Sequence, residues 1–363
     1  MTLALLTGLT VVSFVCVEGL SRIYFETQDS LAQRWSARGA AALQSRNYKA
    51  AVDGYRTALL YARGNDGYQL GLAQALLGEG RIDEANGYLR NLHDEQPENG
   101  LVNLELARIA SSKGDPGTAI RFYHNAIYAT WPANEETERE NARLELIRLF
   151  LRNHAQAQAQ SELIALAANM SGGERSRTQI AGLFLEAQDY AHALSEYRAS
   201  LRSNPRDAIA LAGAGRAAFE LGHYSTARRY LADAAVLAPH DKDSAGRLRI
   251  ADLVIAMDPF RQQIRVAERN RVVVKDFAAA GTRLTACLSS VPTPATAQLQ
   301  TLEQSWSKLK RKVTETGLRR NPDLVDAAME LVFDIERQTA AGCGPPTDTD
   351  TALVLIAKMH EGI

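Results

Sequence analysis

The chain has 363 residues, with 41 Lys or Arg against 42 Asp or Glu, so its formal net charge is −1. Binding nucleic-acid phosphates requires a clear positive excess, and this balance argues against nucleic acid as the main ligand. Aromatic residues make up only 7% of a chain rich in alanine and leucine, which indicates an all-helical protein.

The N-terminal segment is apolar. Residues 1–17 contain no charged side chain, and Glu18 and Arg22 follow. Seventeen uncharged residues are at the lower limit for crossing a bilayer. We therefore predict a transmembrane anchor at residues 1–25, with a buried core helix as the alternative. The prediction makes this a single-pass membrane protein whose remainder is expected in the periplasm or another extracytoplasmic space. The basic residues that follow the segment favour the opposite orientation, which stays open.

A small residue recurs along the chain at a fixed interval, at Ala51, Ala85, Ala119, Ala193 and Ala227. Neighbouring members are 34 residues apart, except for one gap of 74 residues, which is 34 plus 40. That gap indicates an irregular repeat with a six-residue insertion near residues 131–138. Four residues after each alanine stands Tyr or Leu. One such unit cannot bury its apolar face alone, so the pattern predicts stacked helix pairs in which large residues pack against small ones.

These spacings resemble the tetratricopeptide repeat, a helix–turn–helix unit. The first copy matches the consensus of that family at Trp35, Gly39, Tyr48, Ala51, Tyr55 and Ala58. The resemblance covers about residues 31–240, in about six repeats of which the fourth is irregular, and the anchor makes the chain similar to the membrane-anchored bacterial members. It implies an all-α fold, a right-handed α-solenoid with a concave groove, followed by a small C-terminal helical bundle.

The resemblance also implies where a partner binds. In this family the groove is lined from the first helix of each repeat, which here assigns Leu70, Gln74, Leu77, Leu104, Arg108, Arg216, Phe219 and Glu220. Ordinary exposed surface is the alternative for each of them. The Lys/Asn set that clamps carboxylate tails in chaperone-binding members is absent, since its places hold Ser36, Ala40, Leu70 and Gln74.

The strict period fades after Pro239, and residues 241–363 are predicted to form a C-terminal capping bundle. Its expected helices include one at about 242–256, one at 321–341 with Asn321 as N-cap, and one at about 349–360. Cys287 and Cys343 are each expected near a helix end. A disulfide between them would close a loop of about 56 residues, and two buried free thiols are the alternative.

No motif of catalytic, metal or cofactor chemistry has the required context. The stretch 213–218 reads G-x-G-x-x-A, but it falls inside a repeat helix rather than between a strand and a helix. We therefore predict no catalytic residues, no metal and no cofactor. The expected function is that of a non-catalytic, membrane-anchored scaffold that holds an unidentified protein or peptide in the groove. The alternatives are a cell-envelope assembly factor that binds through the C-terminal bundle, and an enzyme with a small-molecule site in that domain.

Overall fold

The computed structural model describes residues 2–131, 136–169, 174–290 and 297–360. Eighteen α-helices and no strand are found in these residues, so the predicted all-α class is confirmed. The chain forms two compact units, Met1–Glu162 and Leu163–Ile363. The predicted three-part division into 1–25, 31–240 and 241–363 stays a prediction.

The first unit consists of helix pairs that follow a long N-terminal helix. Its helices are α1 (Thr2–Gln44), α2 (Tyr48–Tyr61), α3 (Asp66–Gly78), α4 (Ile82–Glu95), α5 (Gly100–Ser112), α6 (Pro116–Tyr128), α7 (Glu136–Arg152) and the first part of α8 (Gln156–Asn169). Short polar side chains cap the N-termini of four of these helices, α2, α3, α5 and α6. Asn65 accepts a hydrogen bond from the Tyr68 N–H at 3.0 Å, and Asn99 accepts one from the Val102 N–H at 3.1 Å, which satisfies an N–H that has no partner within the helix.

The repeat stacks because large side chains meet small ones at its fixed positions. Ala51 and Ala85 are fully buried, and Tyr55 is 7% exposed. The ring of Tyr55 lies over Gly71 of the following repeat, where an added Cβ would come within 2.4 Å of its Cζ. Such an approach is below contact distance, so the position requires glycine. The predicted pairing of large with small residues is thus present in the structure.

The fourth repeat keeps this packing despite its irregular length. Ala159 of α8 is fully buried and lies 40 residues after Ala119, where the predicted insertion places the small residue. Residues 132–135 of the insertion lie outside the described residues, as do residues 171–173, which the sequence suggested as a hinge.

The predicted membrane anchor is overturned. Among the described residues, no helix combines enough length with enough apolar character to cross a membrane. In α1 the described side chains begin at Phe14, and from there the charged residues Glu18, Arg22 and Glu26 recur at every fourth position. Each of them would carry a charge into the hydrocarbon, at a substantial free-energy cost. The predicted single-pass localisation is therefore wrong, and with it the predicted membrane partner; the side chains of residues 1–13 lie outside the described residues.

The second unit joins two repeats to a helical bundle. After the remainder of α8, its helices are α9 (Glu174–Glu186), α10 (Tyr190–Ser203), α11 (Ala208–Glu220), α12 (Tyr224–Leu237), α13 (Lys242–Met257), α14 (Val266–Ser290), α15 (Ala297–Lys310), α16 (Glu315–Arg320), α17 (Leu324–Gly342) and α18 (Asp348–His360). One core contains residues of α13 to α18 together with Tyr224 of the last repeat. The bundle therefore covers the end of the repeats within this unit.

One predicted helix start is wrong. Asn321 does not cap a helix that begins there, because its N–H donates to the Gly317 carbonyl and it ends α16. The next helix begins at Leu324, and its N-cap residue Asp323 makes no side-chain capping bond. The sequence pattern did not reveal the short helix α16. Asn321, which looked like the start of a helix, is the residue that ends α16.

Candidate functional site

Part of the predicted groove in the first unit is a row of hydrogen-bonded polar side chains on three repeat helices. Gln74 of α3 donates through Nε2 to Oε1 of Glu105 on α5, at 3.3 Å. Arg108 donates through Nη1 to the same oxygen at 3.1 Å, and through Nη2 to Oε1 of Glu145 on α7 at 2.7 Å. Its Nε also donates to Glu145, so that contact is bidentate. We call Gln74, Glu105, Arg108 and Glu145 the polar ladder.

Burial and neighbouring charges shift the pKa values of three groups in and beside the ladder. Burial raises the pKa of Glu105, which is 7% exposed. Burial opposes the charge of Arg108, but the hydrogen bond to Glu145 and the charge of Glu105 outweigh it and raise the pKa of Arg108. The Tyr123 hydroxyl donates to Oε2 of Glu145 at 3.0 Å, and burial, with the charge of Glu145, raises the pKa of Tyr123. The arginine stays charged and the tyrosine protonated near neutral pH, so both act as fixed donors.

An apolar cleft adjoins the ladder. It has a volume of about 730 Å³, and its lining residues are Leu70, Gln96, Pro97, Glu98, Asn99, Gly100, Leu101, Thr130 and Trp131. Leu70 lies one turn before Gln74 on α3, and Leu101 one turn before Glu105 on α5, so cleft and ladder share the same faces of these helices. Trp131 is held by a hydrogen bond from Nε1 to the Ala126 carbonyl at 2.7 Å.

Two of the predicted groove residues take part in the core of the first unit. Leu77 is half-buried and packs against the core cluster of α2 to α5. Leu104 is fully buried because α5 packs against both α6 and α7. Leu104 therefore offers no surface to a partner, and its assignment to the groove is corrected. Leu70, Gln74 and Arg108 remain accessible in part.

The predicted residues of the last repeat do not form a similar open surface. Phe219 packs against Tyr224, with ring centroids 5.2 Å apart. The guanidinium of Arg247, on α13, lies 6.0 Å from the Phe219 ring and 3.6 Å from Oε1 of Glu220. Phe219 is thus partly covered by the bundle, whereas Glu220 stays exposed beside its contact with Arg247. The assignment of both residues to a partner groove stays a prediction. Arg216 is exposed.

The two candidate disulfide cysteines lie together in the bundle. The Cα atoms of Cys287 and Cys343 are 5.2 Å apart, and the structure joins their sulfur atoms. This separation is normal for a disulfide. Arg283 holds the same turn by donating from Nη2 to the Gly344 carbonyl at 3.0 Å. The oxidised state in solution stays a prediction, and Cys16 is a free thiol.

The sequence analysis missed Glu105, Glu145, Leu101 and Trp131. Glu145 belongs to the irregular fourth repeat, where the insertion hid the alignment with the other repeats. The spacing of 40 residues between Ala119 and Ala159 could have restored that alignment. Trp131 stands twelve residues after Ala119, where three other repeats have proline. An aromatic residue at a proline position was the available signal. No group of three or more metal-ligating side chains occurs in the described parts of the chain.

A comparison with known protein families agrees with the repeat architecture. The tetratricopeptide repeat family model matches residues 70–135 and 178–243. No curated protein matches the chain. Among solved structures, pilF of Pseudomonas aeruginosa is 18% identical, with a TM-score of 0.44, over 60% of this chain and 97% of that one. YrrB, described as a TPR protein with an unusual peptide-binding site, is 14% identical, with a TM-score of 0.44, over 54% of this chain and 97% of that one.

A third solved structure is the C-terminal part of a TPR repeat-containing protein from Cytophaga hutchinsonii. It is 12% identical, with a TM-score of 0.46, and the match covers 65% of this chain and 91% of that one. At such identities these likenesses concern the fold alone. The fold defines an all-α repeat protein of the class that serves as a scaffold for protein–protein interaction. The family match thus places tetratricopeptide repeats in both units of the chain.

Proposed function

We propose that the first unit binds an extended segment of a partner protein across the apolar cleft and the polar ladder, and that the protein acts as a scaffold without a catalytic step. The observation that carries the proposal is the adjacency of the two features on α3 and α5. Leu70 and Leu101 provide an apolar surface, and Gln74 and Arg108 lie one to two turns further along the same helices.

The cleft suits the side chain of one large apolar residue. Burial of a leucine-sized side chain contributes roughly 1.5–3 kcal/mol, and the cleft has space for such a group beside Leu70, Leu101 and Trp131. Trp131 is fixed by its hydrogen bond to Ala126, so little ordering is required of it when a partner binds.

The ladder suits the polar backbone of the same segment. Arg108 keeps 37% of its side chain exposed although two carboxylates hold it in place. Its orientation is therefore fixed before a partner arrives, and Gln74 adds an amide that can both donate and accept. A segment with an apolar residue in the cleft would place its next peptide groups over these side chains, since an extended chain advances about 3.3 Å per residue.

The test begins with peptides selected from a phage-displayed random library on the full-length chain. The affinity of a selected peptide is then measured by fluorescence polarisation. Leu70→Asp should weaken binding by about tenfold or more, because it places a carboxylate against the apolar side chain of the peptide. The matched control is Leu60→Asp, at a leucine of α2 that is 70% exposed and does not line the cleft. Circular dichroism of both variants checks that they fold.

Equal binding by the two variants would contradict the proposal. Crosslinking of the peptide to residues of the C-terminal bundle, with Leu70→Asp unaffected, would favour the alternative in which the bundle is the binding domain. Loss of binding in Leu70→Asp alone, with both variants folded, supports the cleft.

A further inference from the structure

The bundle carries a concentrated patch of unpaired positive charge at the end of α15 and in α16. It consists of six exposed side chains, Lys308, Lys310, Arg311, Lys312, Arg319 and Arg320, which we call the basic patch. None of the six forms an ion pair with a residue that the structure describes. The ammonium of Lys310 lies 4.5 Å from the centre of the Trp306 ring, a cation–π contact.

The patch contrasts with the charge of the rest of the chain. Residues 308–320 contain these six cations and one carboxylate, Glu315, which gives a formal charge of +5. The whole chain carries −1, so all other residues together carry −6. A positive patch on a protein that is otherwise acidic produces a local potential that attracts anions to this place.

The backbone under the patch is fixed by the bundle core. Trp306 stacks on Phe277 at a centroid distance of 5.8 Å and donates from Nε1 to its carbonyl at 3.1 Å. Leu318 is fully buried. Gly317 allows the Lys312 carbonyl to come so close that an added Cβ would lie 2.1 Å from its oxygen. The cations are therefore presented from an ordered turn, which reduces the entropy lost on binding.

We propose that the basic patch docks an acidic segment of a partner protein. This surface is separate from the cleft of the first unit and goes beyond the function proposed for it. Val313 and Leu318 of the segment are buried in the bundle, and Leu309 is partly buried, so little apolar surface is left to insert into a lipid surface. A duplex carries one charge per about 1.7 Å along its whole length, which is far more negative charge than the patch can match. A short acidic peptide carries a charge comparable to that of the patch.

The experiment measures binding of a fluorescein-labelled oligoglutamate peptide to the full-length chain by fluorescence polarisation at low ionic strength. The test variant is Lys310→Glu, Arg311→Glu, Lys312→Glu. We expect a loss of affinity of about tenfold or more, because like charges then face the peptide. The matched control is Arg198→Glu, Arg202→Glu, Arg206→Glu, three exposed arginines on α10 and in the turn after it. It changes the net charge equally and should bind the peptide nearly as the wild type does.

Two further probes separate the possible anions. These are a fluorescein-labelled DNA duplex and vesicles of phosphatidylcholine and phosphatidylserine in equal parts. Tighter binding of the duplex or the vesicles than of oligoglutamate overturns the proposal, as does an equal loss in both triple variants. No detectable binding of oligoglutamate to the wild type also overturns it. Selective loss in the patch variant supports it, whatever the result for the cleft.

Discussion

Arg108 in the first unit and Arg216 in the second occupy the same position of the repeat, yet their surroundings differ. Arg108 is held by Glu105 and Glu145, whereas Arg216 is exposed. The difference comes from the helices that follow. In the first unit, α7 follows the pair that contains α5 and brings Glu145 to the polar ladder. In the second unit, α13 follows the pair that contains α11 and brings Arg247, which approaches Glu220. The repeat register thus determines which residues are packed between helices, and the next helix determines which surface is left.

The two units also differ in what stabilises them. Described contacts in the first unit come from repeat stacking around residues such as Tyr55 and Leu72. The second unit adds a bundle with a candidate crosslink and with two buried acids, Asp276 and Glu336, whose pKa is raised to about 8. We therefore expect the bundle to be sensitive to redox conditions and pH, and the repeats to be sensitive to side-chain size.

The largest expected effect is removal of the crosslink. Replacing Cys287 and Cys343 together by Ala opens a loop closed over a separation of 56 residues, and the chain-entropy estimate is about 4 kcal/mol of unfolding free energy, less any strain. Urea unfolding of the second unit, followed by hydrogen exchange, should show this loss. Cys16→Ala is the control and should have no effect. Unchanged stability of the double variant, or labelling of both thiols in denatured protein without reductant, would rule out the bond.

The next effect tests whether the two units share the same repeat packing. Gly71→Leu places a side chain against Tyr55, and Gly213→Leu places one against Tyr197, where an added Cβ already lies 2.2 Å from the ring. We expect each substitution to cost roughly 3 kcal/mol through overpacking. Gly87→Leu is the control, since nothing lies within 4 Å of a Cβ there. Thermal unfolding that is unchanged in either test variant would show that the packing differs between the units.

These comparisons also show how much could be predicted. The interval between small residues and the large residue four positions later predicted the stacked helices, because both report contacts within and between neighbouring repeats. The family resemblance assigned Leu104 to the groove. It could not reveal that this side chain is fully buried between the packed helices.

For a similar reason, the sequence could not predict which residues the surface charges pair with. Arg247 approaches Glu220 across 27 positions of sequence, in a region where the period had already faded. Apolar patterning predicted the bundle helices, because burial imposes a helical period. It carried no information on which polar side chains pair with each other. The apolar content of residues 1–25 also led to the prediction of an anchor, which the structure overturns.

A smaller effect should separate the two equivalent arginines. Arg108→Met removes the partner of Glu105 and Glu145, and we expect a loss of about 2 kcal/mol because partly buried carboxylates are left unpaired. Arg216→Met, the matched variant in the second unit, should change stability by less than about 0.5 kcal/mol. Urea unfolding measures both. Equal effects would mean that the ladder does not stabilise the first unit.

The smallest effect concerns pH and the buried carboxyl of Asp276. Burial, together with the charge of Asp258, raises the pKa of Asp276 to about 8, whereas an unfolded Asp titrates near about 4. The folded state therefore holds a proton that the unfolded state releases, so stability is highest below about pH 4 and falls as the pH rises towards 8. Asp276→Asn cannot ionise and should remove part of this decline between pH 5 and 8. Asp233→Asn, at an exposed position of α12, is the control and should keep the wild-type profile. If urea unfolding at several pH values gives Asp276→Asn the same decline as the wild type, the buried acid does not make the bundle sensitive to pH.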